Sequence, residues 1–415
     1  MAQKEKDICE TLFMAIFIHQ ILEHTDVSSR IPGPTVGIVG GGQLGRMLAE
    51  AAAPLGVDVI VLDPTPDCPA APVSRKQIVG EFDEKRAFDQ LSSLADIVTF
   101  EIELADTALL THVEQTHDVT VHPAPATLAL IEDKLEQKRS LEAAGIAVPS
   151  FREVDTVAEL QQALAEFGSV MLKARTGGYD GRGNVPVTDP DDASTALESI
   201  AGPAMAEEFI EFERELSVIA IQGADSVRTL PVGENIHQAE ILRETVVPAR
   251  TDETIQERAK EIAREVLAEL DGRGVFGIEL FETTSGEILV NEIAPRPHNS
   301  GHWSIEGAVT SQFEQHIRAI VGWPLGETSL LCPTVMCNLL ATVEETCSAR
   351  LQDVETLLEQ PYCAPHWYGK DEARPLRKMG HVTLTASGRD ISRNELLAQA
   401  RDVREAVSFE DPTSA

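Results

Sequence analysis

Apolar positions in this chain gather in short runs, many of them closed by an acid, a glycine or a proline. Runs at 36–39, 57–62, 95–101, 169–175, 204–210, 275–281, 287–290, 335–340 and 381–384 have the length and boundaries of strands. Helical spacing lies between them: up to Ala53, at 128–144 before Gly145, at 251–270 before Asp271-Gly272, and at 312–321. Alternating strands and helices over 415 residues predict an α/β and α+β chain of two or three domains. Pro123 and Pro125 put a boundary near 125. The folded unit is expected to begin at Thr35. Before it, the apolar run 12–22 follows Lys4 and Lys6 but is too short to span a bilayer, and no small-residue cleavage site comes after it. Residues 1–34 read as an added helix or an extension outside the folded unit.

The chemistry concentrates at 286–303, GEILVNEIAPRPHNSGHW. A strand delivers Asn291 and Glu292, and then Pro295 and Pro297 break the pattern. The loop that follows holds Arg296, His298, Asn299, Ser300 and His302, which are costly to order unless they bind something. One strand earlier, Glu279 sits inside an apolar run, where a carboxylate needs a positive partner. Glu279 and Glu292 on neighbouring strands could share one cation, and oxygen-only ligands suit Mg²⁺. The plainer reading is two half-exposed strand carboxylates and a polar loop.

Three other stretches change that balance. Strand 36–39 leads into Gly40-Gly41-Gly42-Gln43-Leu44-Gly45, a helix, a second strand and Asp63. This order matches a dinucleotide fingerprint and predicts a phosphate-bearing ligand at the helix N-terminus, without establishing NAD. Glu101 and Glu103 end another strand, where open α/β sheets bind ligands; exposed loop carboxylates are the alternative. Lys173 on a strand precedes a loop with four glycines, 176–184, that could fold its N–H groups over phosphates or be a long hairpin. Glu207, Glu208 and then Glu215 suit an adenine and a ribose, although weakly. Lys134 and Lys138, one helical turn apart, read by default as a solvated face. His237 alone carries little signal. Near the C-terminus, Lys370, Arg374, Arg377 and Lys378 form a basic cluster that suits a phosphate or a salt-bridged turn.

Composition narrows the setting. With 68 acidic and 34 basic residues the formal net charge is -34, which opposes nucleic acid and anionic membranes. The acid is dispersed rather than gathered in a tail, and Arg outnumbers Lys. This looks like a salt-adapted cytosolic protein whose self-repulsion is screened, or else simply an acidic enzyme. Six cysteines without CxxC spacing read as free thiols in a reducing compartment.

GGGQLGRM, TGGYDGRG, GVFGIELF, NEIAPRPHNSGHW, SQFEQHIRAI and HWYGK…R..RKMGH occur in one order. Together they resemble the N5-carboxyaminoimidazole ribonucleotide synthetases, ATP-grasp carboxylases of purine biosynthesis, over roughly 35–390. The resemblance implies an ATP-grasp fold: after the extension 1–34, a Rossmann-like pre-ATP-grasp domain at 35–125, a small lobe with the flap at 126–205, a large lobe with the Mg²⁺/ATP site at 206–328, and a small β-rich C-terminal domain at 329–415. It implies that ATP activates bicarbonate as carboxyphosphate, which then carboxylates 5-aminoimidazole ribonucleotide. Glu279 and Glu292 would hold Mg²⁺ (or Mn²⁺), with Asn291 in support. Lys134, Lys173, the flap Gly178, Tyr179, Asp180, Gly181, Arg182, Gly183 and Asn184, the stretch Glu207, Glu208, Phe209 and Ile210, and Glu215 and His237 would bind ATP. Arg296, Asn299 and Lys173 would be catalytic. Gln43, Tyr179, Asp180, His298, Ser300, Lys370, Arg377 and Lys378 would bind the ribonucleotide. A cytoplasmic homodimer that passes its product to a separate mutase is also implied. Two departures stand out: the extension before Thr35, and Leu104 where the family more often has a polar residue. Lys134, where relatives often have Arg, keeps the charge and loses the fork.

Three rival readings remain. A nicotinamide-dependent dehydrogenase would explain the 40–45 glycines and Asp63 but not the flap, the Glu pair or the basic cluster. A sister ATP-grasp enzyme would transfer formate to a glycinamide ribonucleotide. A nucleotide sensor would bind ATP without turnover.

Overall fold

The computed structural model describes residues 30–177, 183–200 and 202–409. The expected apolar helix at 12–22 and the flap residues Gly178, Tyr179, Asp180, Gly181 and Arg182 lie outside them. Three sheets carry the architecture. The first is parallel, with strands Lys76–Val79, Val59–Asp63, Val36–Val39, Ile97–Phe100 and Thr120–Val121 in that spatial order. Val36, Ile38, Val39, Val61 and Leu62 are fully buried, as expected where helices cover both faces of a parallel sheet.

The second sheet is antiparallel and small: Phe151–Val154, Ala204–Glu208, Val170–Ala174 and Asn184–Val187. The third has nine strands. It runs from Ile288–Ala294 through Gly274–Thr283, Phe212–Gln222, Gly233–Gln238, Ile241–Val247, Thr334–Leu340 and Lys378–Thr385 to Cys363–Trp367, with Val227–Thr229 paired to Phe212–Gln222. The helix Glu253–Ala268 buries Ala259, Ile262, Ala263, Val266 and Leu267 in the same cluster as Val218, Phe276 and Val290 of this sheet. Its apolar stripe was legible from 3.6-residue spacing.

The strands at 334–340 and 378–385 join the large sheet, so the C-terminal region extends the large lobe's sheet. The expected boundary at 205/206 falls inside Ala204–Glu208, and the lobes separate after that strand, at 209–211. Glu215 sits within the long strand Phe212–Gln222, beyond the connection at 209–211. The helix expected over 128–144 is two, Pro125–Glu132 and Lys134–Ala143. They break at Asp133, whose Oδ1 accepts the N–H groups of Leu135 and Glu136 and caps the second helix.

One apolar cluster ties these parts into a body. Leu44 and Leu48 of the helix Gln43–Ala52 pack with Phe313 and Ile317 of Gln312–Ile320 and with Tyr368. His316 fastens the same junction. Its Nδ1 accepts the Val275 N–H at 3.1 Å, so its Nε2 carries the proton and donates to Thr99 Oγ1 at 2.9 Å. Burial pushes His316 down to about 3, which keeps it neutral.

Candidate active site

The cleft lies where the small sheet faces the edge of the nine-stranded sheet. Glu279 and Glu292 are direct cross-strand partners. The register then slips: Leu280 pairs with Val290, which leaves Asn291 as an extra residue. Such a bulge re-aims side chains, and here both Asn291 and Glu292 meet the lysines of the cleft. Similar slips leave Arg243 extra opposite His237, Met379 extra beside Lys378, and Glu213 extra two residues before Glu215. Each site-bearing strand of this sheet is therefore irregular next to its polar group.

Cations and carboxylates alternate across the cleft. Lys134 Nζ donates to Glu292 Oε1 at 2.6 Å. Lys173 Nζ donates to Glu207 Oε1 at 2.6 Å and lies 3.5 Å from Asn291 Oδ1. Enclosure would raise Glu292, but Lys134 outweighs it and brings the carboxyl down to about 2. Enclosure would lower Lys134, yet Glu292 holds it above its usual value. Glu279 differs. Burial pushes it up to about 7, and Glu292 and Glu215 add to the rise. Among the described residues its ion-pair contact is His298 Nε2, 3.8 Å away, and burial holds that imidazole at about 3, hence uncharged. Two adjacent carboxylates with one lysine between them leave an acceptor surplus that fits a hard divalent ion. No cluster of three or more metal-ligating side chains exists among the described residues, so the remaining ligands would be phosphate oxygens.

Glu215 contacts His237 Nδ1 and raises that imidazole against the pull of burial. Glu208 closes the strand Ala204–Glu208, and Phe209 follows it half-exposed, with Ile210 next. Gly183 and Asn184 are the described flap residues, and Asn184 pairs with Lys173.

The loop after Ala294 is more ordered than two prolines suggested, with helical turns at Asn299–Gly301 and Ser304–Gly307. It lies against Gly277, where a Cβ would come within 2.4 Å of His298 Cβ. Arg296 pairs with Glu103 at 2.6 Å. His298 Nδ1 and Ser300 Oγ are 2.8 Å apart. Asn299 and Asn338 exchange two amide hydrogen bonds, 2.7 and 3.0 Å. Asn299 and Ser300 are buried.

The basic cluster divides. Lys370 Nζ reaches Gln43 Oε1 at 2.7 Å and the Lys378 carbonyl at 2.6 Å. Arg374 pairs with the Glu372 carboxylate at 2.9 Å, and Arg377 donates to the Glu372 carbonyl at 2.7 Å. Gln43 at the first helix's start and Lys370 from the C-terminal region are thus brought together across 327 positions.

The glycine loop at 40–45 does not offer the phosphate site its spacing predicts. Glu101 takes the Gly42 N–H and, at 2.8 Å, the Gly45 N–H; Asp63 takes the Gly41 N–H at 2.9 Å. A Cβ on Gly42 would stand 2.6 Å from Glu101 Oε1. The glycines make room for the protein's own carboxylates, which take the N–H groups of Gly41, Gly42 and Gly45. With three of its N–H groups taken, the turn departs from the open glycine cradle that the dehydrogenase reading needs.

Sequence reasoning also missed Lys138. It is not on a solvated face but 2 % exposed, with Nζ 2.8 Å from Glu207 Oε2 and 2.9 Å from the Val290 carbonyl. Its periodic position beside Leu135 and Leu141, both buried, was the available signal.

Three family models match along the chain: the ribonucleotide synthetase preATP-grasp domain at 34–132, the ATP-grasp domain at 139–313, and the phosphoribosylaminoimidazole carboxylase C-terminal domain at 334–395. The N5-carboxyaminoimidazole ribonucleotide synthase of Brucella melitensis is 42% identical over 363 residues, 86% of this chain and 98% of that protein. The crystal structure of the N5-carboxyaminoimidazole ribonucleotide synthetase from Thermotoga maritima superposes with a TM-score of 0.82 at 40% identity, covering 91% of this chain and 99% of that one. The Aspergillus clavatus synthase, solved with ADP and 5-aminoimidazole ribonucleotide, gives 0.82 at 36% identity over 90% and 98%.

Proposed function

The chain belongs to the N5-carboxyaminoimidazole ribonucleotide synthase family of ATP-grasp ligases, and from that premise we propose how its residues divide the work. The reaction is ATP-dependent carboxylation of 5-aminoimidazole ribonucleotide in purine biosynthesis. A bicarbonate oxygen attacks the γ-phosphorus, the β–γ P–O bond breaks and ADP leaves. The exocyclic amine then attacks the carboxyl carbon of carboxyphosphate, or CO₂ released from it, and phosphate departs.

The observation that carries this reading is the cross-strand pair Glu279 and Glu292 between Lys134 and Lys173. Lys134 and Lys173 bind the ATP phosphates, with Gly178 to Asn184 as the cover that excludes water. Glu207, Glu208, Phe209 and Ile210 line the adenine, Glu215 meets the ribose, and His237 orients Glu215. Glu279 and Glu292, supported by Asn291, would hold Mg²⁺, which neutralises charge on the transferring phosphoryl group. Arg296, which Glu103 holds above its usual value against the pull of burial, stabilises carboxyphosphate. His298 faces the same pocket, and Asn299 and Ser300 fix its loop. Gln43, Tyr179, Asp180, Lys370, Arg377 and Lys378 bind the ribonucleotide, the lysines at its 5′-phosphate; the Gln43–Lys370 contact supports that grouping.

We take the domain divisions as 35–125, 126–208, 209–328 and 329–415, with the second boundary set after the strand Ala204–Glu208. A cytoplasmic homodimer in a salt-adapted cell, handing product to a separate mutase, completes the reading; the net charge of -34 supports the salt adaptation. The test is phosphate release from ATP in molar KCl, with and without bicarbonate and aminoimidazole ribonucleotide. Release that needs both is expected. Release driven by formate and a glycinamide ribonucleotide, or none from a protein that circular dichroism reports as folded, would overturn it.

A further inference from the structure

Glu207 lies between two ammonium groups. Its Oε1 accepts from Lys173 at 2.6 Å, and its Oε2 stands 2.8 Å from Lys138 Nζ. Carboxylate and Lys138 are both 2 % exposed, whereas Lys173 faces the cleft. Lys138 also donates to the Val290 carbonyl at 2.9 Å. Val290 directly precedes Asn291 and Glu292 on the edge strand of the large sheet. One buried nitrogen therefore joins the helix Lys134–Ala143, the small-lobe strand Ala204–Glu208 and the large-lobe strand Ile288–Ala294.

Charge accounting gives this junction a purpose. A buried carboxylate with a single lysine forms a neutral pair that has little attraction for phosphate. If that lysine turned to a nucleotide, it would leave an uncompensated buried charge behind. With a second lysine behind it, the group carries one net positive charge toward the cleft, and Glu207 stays paired while Lys173 is shared. We propose that Lys138 is a positioning residue of the nucleotide site: it holds Glu207 from behind, frees Lys173 for the ATP phosphates, and ties the two lobes at the spacing that the nucleotide bridges. This deepens the carboxylase reading and rests on it for the identity of the nucleotide.

Burial pulls Lys138 down to about 8, against the attraction of Glu207 and with the repulsion of Lys173 and Lys134. That gives a readout on the unaltered protein. ADP is fully ionised above neutrality, so any loss of affinity in alkali reports on the protein. Wild-type ADP affinity, followed by calorimetry, is expected to fall about tenfold or more between roughly pH 7.5 and 9.5, the range in which Lys138 loses its charge. A flat profile would overturn the proposal. Lys138→Met, which keeps the chain length and removes the ammonium, gives the second arm. It should raise the KM for ATP about tenfold or more and abolish the ADP-induced rise in melting temperature, with the KM for aminoimidazole ribonucleotide unchanged. A variant that melts lower but keeps the wild-type KM for ATP would reduce Lys138 to a packing group. ADP binding is measured without turnover. A protein that binds ADP with this pH dependence and does not carboxylate would sink the reaction reading and leave the role of Lys138 standing.

Discussion

Two polar constructions at strand ends meet opposite fates in this molecule. The glycine turn at 40–45 has N–H donors in surplus, and Glu101 and Asp63 consume them. The pair Glu279 and Glu292 has acceptors in surplus, and Lys134 satisfies only one of the two. Burial raises Glu101 despite the Gly45 and Gly42 N–H bonds, much as it raises Glu279. The difference is what each has left to offer. A closed turn stabilises the fold, and an open pair waits for a ligand. A motif predicts chemistry only when its groups are still free after the chain has folded.

Breaking the open side should have the largest effect. Glu292→Gln removes a charged ligand and the partner of Lys134, and turnover should fall about 10²–10³-fold, the scale of losing one charge-stabilising group. A phosphate-release assay beside an unchanged circular dichroism spectrum checks this, and near-normal rates would refute the Mg²⁺ assignment. Breaking the closed side comes next. Glu101→Ala orphans two buried N–H groups and should cost about 2–4 kcal/mol in urea unfolding. It should also create what the wild type lacks, a turn that sulfate stabilises. Equal sulfate response in both proteins would mean the turn was never closed.

The junction between the two regions gives a smaller, pH-dependent effect. His316 has a usual value of 6.5 and a folded value near 3, so the unfolded chain binds its proton first as pH falls. Stability from this group is whole above about 6.5 and declines toward 3, by ~1.4 kcal/mol per pH unit for one histidine. His316→Gln should flatten that slope in acid unfolding curves, and an unchanged slope would remove His316 as its source. The smallest effect is expected on the outer surface of the first unit, where Lys85, His112 and His117 surround Asp89. Asp89→Asn should shift stability by less than about 1 kcal/mol, since the pairs are solvated.

Much of this was legible in order and period. The strands at 36–39 and 170–174 and the helix at 312–320 follow from apolar spacing, and the Glu279 and Glu292 pairing follows from two short runs joined by a Gly turn. The helix break has its own signal in the sequence, Asp133 followed three residues later by Glu136 as a helix start. What stayed hidden depends on distance along the chain. Glu101 reaches Gly42 across 59 positions, Asn338 reaches Asn299 across 39, and Lys138 reaches Val290 across 152. Periodicity reports which face a residue occupies, not which partner arrives there. A lysine on a buried face and one on a wet face look alike until Glu207 is in place.

The slipped registers have a consequence for how this site tolerates change in length. Along a regular strand, up and down alternate by parity, and an extra residue such as Asn291 resets the count for everything after it. The cleft is therefore encoded in odd and even as much as in residue identity. Deleting Asn291 would restore an ideal ladder with Glu292 still opposite Glu279 on the cleft side, and would remove the second polar group that the bulge presents to Lys173. A substitution such as Asn291→Ala would leave the count, and the carboxylate, where they are. Loss of ADP binding in the deletion but not in the substitution would identify the spare residue in the ladder, rather than its amide, as the part the cleft depends on.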